Sequence, residues 1–183
     1  GLERTLKLIT GMYAIALWDR LDRKLFLVRD RMGEKPLYYG KQGPSILFAS
    51  ELKALARHPD WAGSINRNAI ADVLRYGYVG GDKSIYTGIK KLPPGAYIEI
   101  TADNFGSDSN FESVAPIKYW NLSGYSSKRS GINENDAIAS LDSILRESVK
   151  GQMVADVPLG AFLSGGIDSS LVVALMQQES SSS

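Results

Sequence analysis

The stretch SGGIDSS, Ser164 to Ser170, places two adjacent glycines, three serine hydroxyls and one carboxylate between two apolar runs. Binding a phosphate group requires several N–H donors converging on a small volume. Glycines let the backbone turn tightly and leave room for the oxygens, and a helix N-terminus adds unpaired donors and the positive end of its dipole. Gly165 and Gly166 meet the first need, the start of the following helix meets the second, and Ser164 and Ser169 can donate through hydroxyl as well as backbone. Asp168 would repel a bare phosphate, so its place among these donors points to a cation, most simply Mg²⁺ bridging carboxylate and phosphate oxygens. The competing reading is an ordinary tight turn with Asp168 as helix cap.

Such a loop needs a strand to deliver it and a helix that begins where it ends. DVPLGAFL, residues 156–163, is apolar without alternation and has Pro158 near its start, which reads as a buried parallel strand. The apolar run from Leu171 reads as the helix. Upstream, NENDAIASLDSILRESVKGQ reads as another helix, with Asn133 placed to cap it and with Glu134 and Asp136 in the first turn, where the dipole favours anions. Ile138, Leu141, Ile144, Leu145 and Val149 form its apolar stripe.

The first two thirds of the chain are patterned differently. GMYAIALWD is continuously apolar, as in a strand covered on both faces, and with LFLV (residues 25–28) across the turn DRLDRK it predicts a β-hairpin. Tyr38 and Tyr39, SILFAS and residues 96–100 read as further short strands, ELKALARH and NRNAIADVLRYGYVG as helices. In the second helix Ile70, Val73, Leu74 and Tyr78 share a stripe and Gly77 marks the end. Arg29, Asp30 and Arg31 are expected to serve structure as ion pairs at the domain surface, and Trp18, Tyr38 and Tyr39 to lie in a core or interface. The stretches 102–111 and 121–133 are rich in Ser, Asn, Asp and Gly, the second being the better linker because a helix follows it. The fold class expected is α+β followed by α/β: layered antiparallel sheets with helices over 1–122, a linker at 123–133, and the start of a parallel α/β domain over 134–183.

Composition narrows the functions. Of 183 residues, 21 are Lys or Arg and 20 are Asp or Glu, a net charge of +1 that argues against a nucleic-acid surface or a polybasic membrane anchor. No apolar stretch is long enough to span a bilayer, and the balance points to the cytoplasm. There is no cysteine, which excludes disulfides, thiolate metal sites and cysteine nucleophiles in this chain, and the single histidine, His58, reads as an ordinary loop residue. GYVGGDKS, Gly77 to Ser84, falls short of the G-x-x-x-x-G-K-[ST] phosphate loop because Asp82 stands where the second glycine belongs, and it reads as a plain loop. The chain begins at Gly1 and stops soon after its last helix starts, so it is expected to be part of a longer protein.

SGGIDSS resembles the pyrophosphate-binding loop of ATP pyrophosphatases, and DVPLGAFLSGGIDSSLVVAL is similar to the start of the synthetase domain of glutamine-hydrolysing asparagine synthetases. GMYAIALWD, RDRMGEKPLYYG and FASELKAL resemble, in order, the second half of that family's N-terminal-nucleophile glutaminase domain. The resemblance implies an ATP-pyrophosphatase domain after a glutaminase domain, with ATP, glutamine and aspartate as substrates of the parent enzyme, Mg²⁺ as cofactor, and no nucleic acid or membrane as partner. A homodimer is entertained as the assembly. In that family ammonia from glutamine displaces AMP from an aspartyl-adenylate. By resemblance, Ser164, Gly165, Gly166, Asp168, Ser169 and Ser170 hold the pyrophosphate portion of ATP, with Asp168 on the metal, and the backbone at Phe162 and Leu163 lies beside the base. The family's nucleophilic cysteine and its glutamine-binding motifs have no counterpart here, so this chain alone is not expected to hydrolyse glutamine. β-Lactam synthetase, an amidotransferase of surface-polysaccharide synthesis and a truncated nucleotide-binding or interaction module are the alternatives.

Overall fold

In the computed structural model, which describes residues 1–104, 111–126 and 131–180, the first hairpin forms around Asp19. Its Oδ1 accepts from the backbone N–H of Leu21 at 2.9 Å and Asp22 at 3.1 Å, and Arg23 takes the left-handed φ of 53°. This side chain–backbone turn folds β1 (Ala14–Asp19) back on β2 (Lys24–Arg29) with Asp19 opposite Lys24. β2 pairs with β6 (Ala96–Ile100) and β6 with β7 (Ile117–Lys118), giving an antiparallel sheet in the order β1-β2-β6-β7. In a second antiparallel sheet β3 (Tyr38–Gln42) lies between β4 (Ser45–Ala49) and β5 (Ile89–Lys91). The chain divides into two compact units, Gly1–Tyr125, which holds both sheets, and Ser126–Ser183.

The period of two along the strands builds the first unit in layers. Leu27, Ala96, Ile98 and Ile100 face the second sheet and meet Leu37, Tyr39, Leu92 and Phe111 in one buried cluster. Val28 and Tyr97 point the other way and pack against Leu6 of α1 (Leu2–Leu8). A third cluster, Leu47, Leu55 and Ile89, seats α2 (Leu52–Leu55). Each such leucine or isoleucine stabilises by about 1.5–3 kcal/mol through burial. Close backbone approach tightens the second sheet: a Cβ on Gly40 would lie 1.9 Å from the Gly88 carbonyl oxygen.

Two expectations for this unit are corrected, and one element lies outside them. Among the described residues β1 is an edge strand, paired with β2 alone, and Leu17 and Trp18 are 46% and 50% exposed rather than covered. An apolar run reports burial on both faces only when layers extend over it, and here they stop short of the edge. α3 (Arg67–Tyr76) has its Asn66 cap and its left-handed Gly77 end, at φ 80°, but buries only Ala69. Its stripe stands outward, with Ile70 40%, Val73 38%, Leu74 83% and nearby Tyr78 65% exposed. The helix α1 was not expected, although Leu2 and Leu6 carry the i, i+4 spacing of its buried side.

In the second unit Asn133 caps α5 (Glu134–Gln152), accepting from the N–H of Asp136 at 3.0 Å. α6 runs Ile167–Glu179 and contacts α5, where Arg146 donates to Asp142 at 2.7 Å and to Gln178 at 2.6 Å. Ile138, Leu141 and Ile144 of the α5 stripe are 59%, 57% and 63% exposed, whereas Leu145 and Val149 are half-buried. The buried parallel strand expected at 159–163 is absent: no strand occurs among the described residues of this unit, and Phe162 is fully exposed. A parallel strand exists only through its neighbours' hydrogen bonds, and no described residue of this unit supplies a neighbour. Of the linker 123–133, residues 123–126 form the helical turn α4 (Ser123–Ser126) and 127–130 lie outside the described residues, as do 105–110 of the stretch 102–111.

Candidate phosphate-binding loop

Gly165 takes φ +81°, a left-handed conformation that a side chain would strain, and Gly166 returns to extended backbone as the N-cap of α6. Ser170 N donates to the Gly166 carbonyl at 3.1 Å, the first bond of the helix, which leaves the N–H groups of Ile167, Asp168 and Ser169 without intrahelical acceptors. The space a Cβ on Gly165 would occupy is open to 4 Å. Unpaired donors, the positive end of the helix dipole and an open approach are therefore together.

The hydroxyls close on one another. Ser164 Oγ lies 2.9 Å from Ser169 Oγ, and Ser169 and Ser170 both donate to the Gly166 carbonyl, at 3.1 and 2.8 Å. This brings together Ser164, Gly166, Ser169 and Ser170. Asp168 is exposed, is the second residue of the helix rather than its cap, and has no hydrogen-bond partner among the described residues. The reading of Asp168 as a helix cap therefore does not describe this loop. Phe162 and Leu163, just before the loop, are 101% and 62% exposed.

Among the described residues no three His, Asp or Glu side chains cluster as metal ligands. Mg²⁺ commonly binds through one or two carboxylates together with substrate phosphate oxygens, and one exposed, unpartnered carboxylate beside a phosphate-type loop fits that donor set. No helix among the described residues is long and apolar enough to cross a membrane.

The first unit holds a polar centre that sequence reasoning placed at the surface. Asp30 is 1% exposed and forms no ion pair among the described residues; its Oδ1 accepts from Glu34 N at 2.9 Å, and its Oδ2 from Lys35 N at 2.9 Å and Tyr13 N at 3.3 Å. Burial opposes its charge, but the backbone N–H groups of Lys35, Glu34, Tyr13 and Gly33 outweigh it and hold the carboxyl below its ordinary range. Arg29 grips the same loop, donating to the carbonyls of Lys35 (2.9 Å), Leu92 (2.7 Å) and Gly33 (2.6 Å). Gly33 needs φ +70°, and a Cβ there would meet Pro94 at 2.7 Å. A signal that could have pointed here is an aspartate three residues before a glycine and followed by Pro36, the pattern of a side chain-organised turn. His58 lies in the loop after α2, its Nδ1 accepting from Asp60 N at 3.2 Å.

Residues 1–111 match the family described as glutamine amidotransferase domain, and residues 140–183 match the family described as asparagine synthase. The chain is 33% identical over 168 residues to asparagine synthetase [glutamine-hydrolyzing] 3 of Bacillus subtilis, covering 91% of this chain and 25% of that protein. To asparagine synthetase [glutamine-hydrolyzing] 2 of the same organism it is 36% identical, over 90% of this chain and 22% of the other. A putative asparagine synthetase [glutamine-hydrolyzing] 2 of Methanocaldococcus jannaschii is 33% identical, over 94% and 32%. The chain thus spans about a quarter of the length of the first two relatives.

Proposed function

The chain belongs to the glutamine amidotransferase domain family, and from that premise we propose that the protein it represents is a glutamine-dependent asparagine synthetase. ATP would activate the side-chain carboxylate of aspartate as an acyl-adenylate with loss of pyrophosphate, and glutamine-derived ammonia would displace AMP. Residues 1–122 belong in this reading to the glutaminase domain, 134–183 begin the ATP-pyrophosphatase domain, and 123–133 join them, in the cytoplasm. The observation that carries the proposal is the order of the two family matches in one chain, with SGGIDSS inside the second.

The loop's chemistry supports it. Attack at the α-phosphate makes pyrophosphate the leaving group, and donors fixed in advance around that developing charge lower the barrier. The N–H groups of Ile167, Asp168 and Ser169 and the hydroxyls of Ser164, Ser169 and Ser170 supply such donors, the hydroxyls exchanging their bonds to one another and to the Gly166 carbonyl for phosphate oxygens. Asp168 would hold Mg²⁺, which when bound offsets charge on the pyrophosphate. The backbone at Phe162 and Leu163 would lie along the base.

The test is pyrophosphate release with ATP and aspartate in the full-length enzyme, measured alongside glutaminase activity. Asp168→Asn should lower pyrophosphate release about a hundredfold or more, since charge stabilisation of this kind is worth about 3 kcal/mol, and should leave glutamine hydrolysis intact. Unchanged pyrophosphate release would remove Asp168 from the site. Failure of the wild-type enzyme to release pyrophosphate with aspartate, but not with another carboxylate, would reject the acceptor.

A further inference from the structure

The segment GYVGGDKS, set aside as a loop, forms one wall of a pocket in the first unit. The pocket has a volume of about 340 Å³ and is lined by Tyr38, Leu52, Tyr78 and Val79 together with Lys83 and Lys91. Lys91 is half-buried and donates from Nζ to the Val79 carbonyl at 2.6 Å, yet it has no carboxylate partner among the described residues. Lys83 is paired, 2.8 Å from Asp72. Tyr38 and Tyr78 add two phenol groups to the lining.

A half-buried ammonium with no carboxylate in hydrogen-bond contact is unfavourable, because among the described residues its lost hydration is replaced by one carbonyl and the charge of Asp82 compensates it only in part. Arg29 aggravates this: burial first, and then the nearby guanidinium, hold the Lys91 ammonium below the ordinary lysine range, with Asp82 opposing. An anion entering the pocket would relieve both effects. Lys83, Lys91 and Arg29 against Asp72 and Asp82 leave a net charge of about one positive around the space. That balance suits a monoanion, and the walls made by Leu52, Val79 and the tyrosine rings suit an apolar body behind it. A phosphate dianion is disfavoured because the Asp82 carboxylate would repel its second charge.

We infer that the pocket between β3, the start of α2 and residues 78–85 binds a small organic carboxylate, its carboxyl group on Lys91 and its apolar body against Leu52 and Val79. The tyrosine hydroxyls add neutral donors, and the pocket belongs to the first unit, whereas the glycine loop belongs to the second.

The test is titration of the ¹⁵N-labelled 183-residue chain with butyrate, with n-butanol and inorganic phosphate as parallel arms. Butyrate should shift the amide resonances of residues 78–85 and 91 saturably, n-butanol and phosphate should not, and Lys91→Gln should weaken butyrate binding about tenfold or more, as expected for loss of a charge-assisted hydrogen bond. The wild-type comparison of butyrate with butanol stands whether or not the variant folds. Absence of saturable shifts with butyrate, or equal shifts with butanol, would overturn the site. Saturable shifts from phosphate instead would overturn the carboxylate assignment.

Discussion

Replacing Asp30 by asparagine leaves the shape of the buried loop centre almost unchanged and removes its charge, so it isolates what that charge does. Oδ2 now accepts from Lys35 N at 2.9 Å and Tyr13 N at 3.3 Å, and Oδ1 from Glu34 N at 2.9 Å. An asparagine has one acceptor oxygen; wherever it is placed, its NH₂ faces at least one backbone N–H that previously donated. At best the Glu34 bond is lost, leaving a donor unsatisfied inside a site that is 1% exposed. A hydrogen bond to a charged group is worth about 1.5–3 kcal/mol and an unsatisfied buried donor costs about 1–3 kcal/mol. The easier burial of a neutral group offsets part of this, giving a net loss of about 2–4 kcal/mol. For a unit of this size that is a fall in Tm of about 10 °C. The assay is calorimetric or urea unfolding of the 183-residue chain, with pH as a second axis. Because backbone donors depress the folded-state pKa, the stabilisation from ionised Asp30 is fully present above the unfolded aspartate value of about 4 and is lost as pH falls through the lower folded value. Wild type should therefore lose stability through that acid window, and Asp30→Asn should lose less. A variant melting within about 2 °C of wild type, with the same acid limb, would refute the view that this carboxylate organises the loop.

Gly40→Ala should cost about 3 kcal/mol or more, because its Cβ would sit 1.9 Å from the Gly88 carbonyl oxygen and the β3–β5 pairing would have to open; thermal unfolding followed by circular dichroism checks this. Gly165→Ala should cost only about 1 kcal/mol of stability, since φ +81° is strained for alanine while the surrounding space is open. In the full-length enzyme, the same substitution should weaken ATP binding by more than that fold loss accounts for; equal effects on both would leave the loop without a phosphate role.

Local chemistry was legible in the sequence wherever cause and effect lie within a few residues. Asn66 and Asn133 cap their helices, Gly77 ends α3 in the left-handed region, and the β1–β2 hairpin forms where the apolar runs flank a polar turn. The glycine loop was readable for the same reason: a left-handed Gly165, an N-capping Gly166 and serines at short spacing interact mostly with one another. Burial was not legible, because it depends on residues far away in the chain. Leu27 and Ile98 are buried because β2 and β6, some seventy residues apart, pair and face the second sheet, whereas the similar pattern in β1 ends at an uncovered edge. The α3 stripe, with Ile70 and Leu74, predicts an amphipathic helix without naming what would cover it, and it stands exposed. Residues 159–163 have a strand's composition but no strand, since a ladder requires a second chain segment beside it. Asp30 shows the same division for electrostatics. Its charge beside two arginines suggested surface ion pairs, and only the fold brings Tyr13, seventeen residues earlier, to its carboxylate and closes the centre to water.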